Sequence, residues 1–245
     1  MTALHAAMRT LRWRELAVQA GPCPFCGHSL FLRLQREETA VRCLRCRASA
    51  VHLSLGWALR AAAVDLAACD AYELSARGPL VRWLRSRARS LVVSEFFDDV
   101  APGGYHQGVR CEDVQALTLP DACMDLVTHT EVFEHVPDDS RGWRELWRVL
   151  RPGGLMVFTV PLGSAATTVE RARPSARGIE HLLPPTYHGD QLRGPGQVLV
   201  YRDYGADITT RLLAAGFVDA VRLPPDARVP WGFARPVLLA RKAAL

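Results

Sequence analysis

Two Cys-x2-Cys pairs, Cys23 with Cys26 and Cys43 with Cys46, stand 16 residues apart and are the side chains best suited to hold a metal ion. A CxxC segment folds as a tight turn that presents two thiolates to one tetrahedral ion, so the pattern points to a structural zinc ribbon over residues 21–47. A redox pair, an iron site or unliganded thiols remain open for the same residues. A closed four-thiolate site has no position for substrate, so the ion would hold the fold rather than react. Gly27 follows the first pair, where a left-handed backbone is usual, and Arg47 stands at the equivalent place after the second. Cys69, Cys111 and Cys123 lie in apolar surroundings and read as core thiols.

Imidazoles supply the second chemistry. The segment Glu180-His181-Leu182-Leu183-Pro184-Pro185-Thr186-Tyr187-His188-Gly189-Asp190 places His188 two residues before Asp190. An unperturbed imidazole titrates near about 6.5, which suits a general base, and Asp190 could orient it across Gly189. A loop anchored by hydrogen bonds is the alternative. A second metal on His181, His188 and Asp190 has suitable ligand types, but the spacing matches no recognised site. His135, in Glu134-His135-Val136, is a further candidate, with a helix-capping histidine as its alternative.

These groups need elements to position them. Leu4, Met8, Leu11 and Leu16 fall near helical spacing, which predicts a short helix over residues 1–20. An apolar, alanine-rich helix is expected from about Ala48 to Ala68. Beyond it, apolar runs at 71–75, 90–95, 108–111, 124–130 and 154–160 alternate with helical segments. That alternation predicts an α/β, doubly wound parallel sheet over residues 48–245. The clearest helix follows the fourth run: Asp138 to Ser140 supply caps, Trp143, Leu146, Trp147 and Leu150 share one face, and Arg151-Pro152-Gly153-Gly154 stops it. Residues 162–203, rich in Pro, Gly, Arg and His, are too long for an ordinary connection and read as a lid or substrate insertion. A last helix at about 204–215, stopped by Gly216, leads to strands at 217–223 and 234–241.

Acids stand at successive strand ends: Glu73 in the first run, Glu95 after the second, Asp113 after the third, and Thr130-Glu131 after the fourth. The carboxyl ends of a doubly wound sheet converge on one crevice, where such acids can accept hydrogen bonds from ribose hydroxyls and a base amino group. The stretches Asp113-Val114-Gln115-Ala116-Leu117-Thr118-Leu119-Pro120-Asp121, Glu131-Val132-Phe133-Glu134-His135-Val136-Pro137-Asp138 and Arg148-Val149-Leu150-Arg151-Pro152-Gly153-Gly154 carry a specific likeness. Over roughly residues 70 to 220 the chain resembles the class I S-adenosylmethionine-dependent methyltransferases, in the branch with ubiquinone and menaquinone methyltransferase-like enzymes. The resemblance implies a seven-stranded Rossmann-like sheet with an antiparallel last strand and S-adenosylmethionine as cofactor, leaving S-adenosylhomocysteine. It implies that Glu73, Ser75 and Gly78 line the methionine end, Glu95 grips the ribose, Asp113 and Val114 bracket the adenine, and Thr130 and Glu131 face the sulfonium and the acceptor. The chain departs from the family in its first motif, which keeps Gly78 but has Ser75 and Arg77 where glycine is common.

Composition narrows the acceptor. At 245 residues and 49% hydrophobic, the chain can bury a core and is not a disordered tail. The net charge is +5, but only Lys242 is a lysine and the arginines are scattered, which reads as a soluble surface more than a nucleic-acid footprint. The absence of asparagine removes the Asn-Pro-Pro-aromatic motif used on planar amino groups, and no cysteine follows the fourth run to attack a cytosine ring. The expectation is O- or N-methyl transfer to a small-molecule or glycan-type acceptor. An RNA methyltransferase whose ribbon grips RNA and an inactive methyltransferase-fold scaffold are the alternatives. No secretory leader or membrane span is legible, so the expected location is cytoplasmic.

Overall fold

The computed structural model describes residues 13–190 and 194–244. The helix expected over residues 1–20 lies outside the described residues as far as residue 12. From there the chain makes a 3₁₀ turn, Trp13–Glu15, and then strand β1, Ala17–Cys23. β1 pairs antiparallel with β2, Gly27–Arg33, from Ala17↔Arg33 to Cys23↔Gly27, and β2 pairs with β3, Val41–Cys43. This continuous ladder satisfies the backbone of β1, and that outweighs a loose helical spacing of apolar residues. Gly27 and Arg47 both take left-handed backbone, at φ 84° and 65°, so the two cysteine turns share one geometry although only one has glycine.

The ribbon sits on helix α1, Ala50–Ala61, and helix α2, Pro79–Arg85. Phe25, between the first two cysteines, meets the edge of Trp83 with ring centroids 5.5 Å apart. Gly56 is needed where α1 passes the ribbon, because a Cβ there would lie 2.7 Å from both Phe25 and Pro24. Arg60 Nε donates to Pro24 O at 2.7 Å and Arg82 Nη2 to Cys46 O at 2.8 Å, tying both cysteine turns to the helices. α1 is shorter than the expected span to Ala68, because Ala63 turns left-handed at φ 49° to redirect the chain into the sheet.

The sheet strands are β4 (Asp70–Glu73), β5 (Ser90–Glu95), β6 (Tyr105–His106), β7 (Val109–Cys111), β8 (Met124–Thr130) and β9 (Leu150–Thr159), completed near the C-terminus by β16 (Asp219–Leu223) and β17 (Val237–Arg241). They lie in the order β16-β17-β9-β8-β4-β5-β7-β6. β4, β5, β7, β8 and β9 run parallel, and β17 is antiparallel to both neighbours. The seven expected strands are therefore present with the last one reversed, and the two-residue edge strand β6 makes eight. Helix α3, Asp139–Val149, fills the β8–β9 crossover, with Asp138 Oδ1 accepting from Arg141 N at its start. The connections 96–104 and 112–123 carry no helix, contrary to the simple alternation. Instead Glu112, only 3% exposed, accepts from Arg110 and from the Thr118 amide and hydroxyl, and so braces the second of these loops.

Two apolar layers cover the sheet. On one face α1, α2 and the ribbon pack over Ala71, Leu126 and Val157; on the other Trp143 and Leu146 of α3 pack with Phe133, Phe158 and Ile208. The insertion 162–203 is built from paired short strands: β10 (Val169–Glu170) with β15 (Arg202–Asp203), β11 (Ala172–Ser175) with β12 (Gly178–His181), and β13 (Tyr187–Asp190) with β14 (Gly194–Leu199). Helix α4, Ile208–Ala214, follows, and Gly216 at φ 113° ends it as expected. Among the described residues no helix is long and apolar enough to cross a membrane.

Candidate active site

β4 and β8 are neighbours whose onward connections run in opposite directions, so the crevice of a doubly wound sheet opens at their carboxyl ends. Glu73 closes β4 and is 2% exposed; its carboxyl accepts from Thr128 Oγ1 of β8 and spans this switch point. Burial pushes its pKa up to about 8. Past it the chain turns through Ser75 and the exposed Arg77 to Gly78, whose φ of 103° starts α2. Glu95, at the end of β5, reaches this turn: its Oε1 accepts from Ser75 Oγ at 3.1 Å and from Ala76 N at 2.9 Å. Asp113, beyond β7, is oriented by the Gln115 amide at 2.9 Å, and Val114 is buried in the α3-side core.

On the other side of the crevice β8 ends at Thr130, and Glu131 follows in left-handed backbone at φ 54°. A 3₁₀ turn, Phe133–His135, then carries Glu134 and His135. Arg202, 3% exposed, fixes this turn by donating to the carbonyls of Phe133, Val136 and Pro137 at 2.9, 2.5 and 2.7 Å. The insertion docks along the same turn, with Tyr201 N on Glu134 O at 2.7 Å and His135 Nδ1 on Leu199 O at 2.8 Å. The hairpin of β13 and β14 thereby delivers His188: its ring meets that of His135 edge-on at 5.0 Å, and its Nδ1 lies 3.8 Å from Glu134 Oε1. Burial, with Arg235 nearby, lowers the pKa of His188 and favours the neutral imidazole.

Three modules meet here. Arg235, just before β17, donates from Nη1 to Glu131 Oε2 at 2.5 Å and from Nε to Glu38 Oε2 of the ribbon at 2.9 Å. Its own amide donates to Ser54 Oγ of α1 at 3.0 Å.

The cysteines also come together. Cys23 Sγ lies 3.6 Å from Cys46 Sγ, Cys26 Sγ 3.6 Å from Cys43 Sγ, and all four sulfurs fall within 4.8 Å of one another. A tetrahedral zinc with bonds of about 2.3 Å needs sulfurs about 3.8 Å apart, so the residues fit such an ion.

The structure thus gathers His135, His188, Thr130 and Glu131 on the β8 side and Glu73, Ser75, Gly78, Glu95 and Asp113 at the other strand ends. The His188 ring lies beside Glu134, and the β13–β14 register is irregular between His188 and Asp190. His181 stands exposed on β12, and the cluster around His188 is made by Glu134 and His135. The hairpins place His181 and His188 on different strand pairs. Sequence reading missed Glu38 and Arg235, which no local pattern marks. Glu134, beside a candidate histidine, carried a signal that was available.

Residues 53–158 match the family model described as a methyltransferase domain. Among curated relatives, a demethylmenaquinone methyltransferase of Deinococcus radiodurans is 36% identical over 87 residues, covering 34% of each chain. A ubiquinone biosynthesis O-methyltransferase of Coxiella burnetii is 32% identical over 72 residues, covering 27% of this chain and 31% of the relative. The chain spans about a third of the length of these relatives and 21% of another. A solved S-adenosylmethionine-dependent methyltransferase from Mesorhizobium loti superposes with a TM-score of 0.51 at 20% identity, over 77% of this chain and 98% of that one. The fold is accordingly the Rossmann-like fold of methyltransferases, and residues 53–158 are similar to a methyltransferase domain.

Proposed function

We propose that the protein transfers a methyl group from S-adenosylmethionine to an oxygen or nitrogen of a small-molecule or glycan-type acceptor, with a structural zinc in its four-cysteine ribbon. The observation that carries this reading is the convergence of Glu95, Asp113 and Glu131 on the crevice beside β4, within the matched methyltransferase domain. The turn from Ser75 to Gly78 fits a cofactor despite its single glycine, because Ser75 is small and bonded aside to Glu95 while Arg77 is exposed. S-adenosylmethionine supplies, when bound, an electrophilic methyl on a sulfonium.

The chain's own residues then have three tasks. Glu95 and Asp113 accept hydrogen bonds from hydroxyl and amino groups and fix the cofactor along the strand ends. The turn 131–135, clamped by Arg202 and Arg235, sets the acceptor for in-line displacement, where positioning supplies most of the rate. For a hydroxyl acceptor, the neutral imidazole of His188 can take the proton, and His135 lines the same wall.

Several features favour a compact acceptor over RNA. Arg110, Arg148, Arg151, Arg202, Arg211 and Arg235 each pair with carboxylates of the protein, leaving them less available to phosphates. None of the seven cysteines is in a disulfide, which accords with a cytoplasmic location. Calorimetric titration with S-adenosylhomocysteine is the test: micromolar binding supports a working transferase, and no binding by folded, zinc-loaded protein leaves the scaffold reading.

A further inference from the structure

We infer that Glu134, His135 and His188 form a second metal site, distinct from the cysteines, that takes a divalent transition-metal ion with open coordination positions. Each offers one ligand atom, and the three atoms lie within 4.8 Å of one another. His135 Nε2 is 3.6 Å and His188 Nδ1 3.8 Å from Glu134 Oε1. A tetrahedral ion with bonds of about 2.1 Å needs ligands about 3.4 Å apart, so only a small contraction is required. His188 is half-buried on its hairpin.

A second observation points to a ligand. Glu134 is 1% exposed, and neither carboxylate oxygen has a hydrogen-bond partner among the described residues. A buried carboxyl left this way costs free energy that a bound cation would recover. The neighbouring charges do not supply that compensation by contact: Arg235 is committed to Glu38 and Glu131, and Arg202 to Glu170 and three carbonyls.

The histidines are prepared as ligands. Leu199 O can only accept, so His135 Nδ1 carries the proton in that bond, and Nε2 is the ring nitrogen on the Glu134 side. The Arg202 clamp on the turn and the Tyr201–Glu134 backbone bond hold the first two ligands, and the insertion supplies the third. Two imidazoles with one carboxylate suit cobalt, iron, nickel or zinc, and three protein ligands leave room for water or an oxygen of the acceptor. What the ion would do in catalysis rests on the reading above, and with the ion bound His188 would serve as a ligand in place of the proton acceptor named there. The binding itself stands apart from that reading.

Protein carrying one equivalent of zinc, enough for the cysteines alone, and titrated with cobalt(II) tests the site. One equivalent is expected to bind with visible d–d bands and without the thiolate-to-cobalt charge transfer that would mark exchange at the cysteines. Glu134→Gln and His188→Ala should each weaken binding about tenfold or more, while His181→Ala leaves it unchanged. Circular dichroism and a thermal melt confirm that each variant is folded. Absence of a thiolate-free cobalt spectrum in the wild type, or wild-type affinity in folded Glu134→Gln, overturns the inference. Parallel titration with S-adenosylhomocysteine reports separately on the transferase reading.

Discussion

Arg235 Nη1 donates to Glu131 Oε2 at 2.5 Å while the other side of the same guanidinium holds Glu38. The ribbon, the end of β8 and the segment entering β17 are thus joined by one side chain, 21% exposed, between two carboxylates. Glu131 is pushed up in pKa by burial, and Arg235 is the largest opposing influence. Arg235→Ala leaves both acids without this partner. A loss of roughly 1–3 kcal/mol is expected in urea unfolding, less than for a fully enclosed pair. A double-mutant cycle with Glu131→Gln should show coupling of about 1 kcal/mol or more; additive losses would mean the contact does not bind the modules together.

Glu73 gives a pH signature. Its folded pKa near 8 lies above the unfolded value of about 4.3. The stability linked to its proton is therefore full below about pH 4.3 and is lost as pH rises through 8. Glu73→Gln stays neutral and can still accept from Thr128. The variant should gain on the wild type across this window, by an amount on the order of a few kcal/mol, and then level off. Parallel pH profiles of denaturant midpoint for the two proteins would show that the carboxyl is not held protonated.

The sheet was legible because parallel strands buried on both faces leave apolar runs of recognisable length, as at 124–130 and 154–160. The start of β9 was not, because Arg151-Pro152-Gly153-Gly154 reads as a stop, whereas a register irregularity against β8 absorbs it and lets the strand begin at Leu150. Glu95 and His188 could be picked out by residue type and position. Their partners could not: Glu95 finds Ser75 across 20 positions, and His188 meets Glu134 across more than 50. Arg235 is the extreme case, since its guanidinium contacts are set by tertiary packing between segments 104 and 197 positions apart.

The ribbon turns predict two opposite outcomes. Cys43→Ser should release zinc and lower the melting temperature, because metal held by four thiolates contributes folding free energy. Arg47→Gly should stabilise, by about 1 kcal/mol, since a non-glycine residue at φ 65° is strained and the equivalent turn already has Gly27. Metal content by mass spectrometry with thermal melts checks both. Full zinc and an unchanged melt in Cys43→Ser would remove the ion from the fold.

Glu95 separates a cofactor role from a purely structural one. Its Oε1 braces the turn through Ser75 Oγ and Ala76 N, and in the proposed reading the carboxylate also accepts ribose hydroxyls. Glu95→Gln keeps one acceptor oxygen for the turn but loses the charge, and charge-assisted bonds are roughly twice as strong as neutral ones. S-adenosylhomocysteine affinity should fall about tenfold, a loss of about 1.4 kcal/mol, while the melting temperature changes little. Asp113→Ala should likewise weaken binding, because the carboxylate oriented by Gln115 lies beyond β7 rather than under the core. If both variants melt lower yet bind as tightly as the wild type, these acids serve the loops alone and the crevice beside β4 is not where the adenosyl group lies.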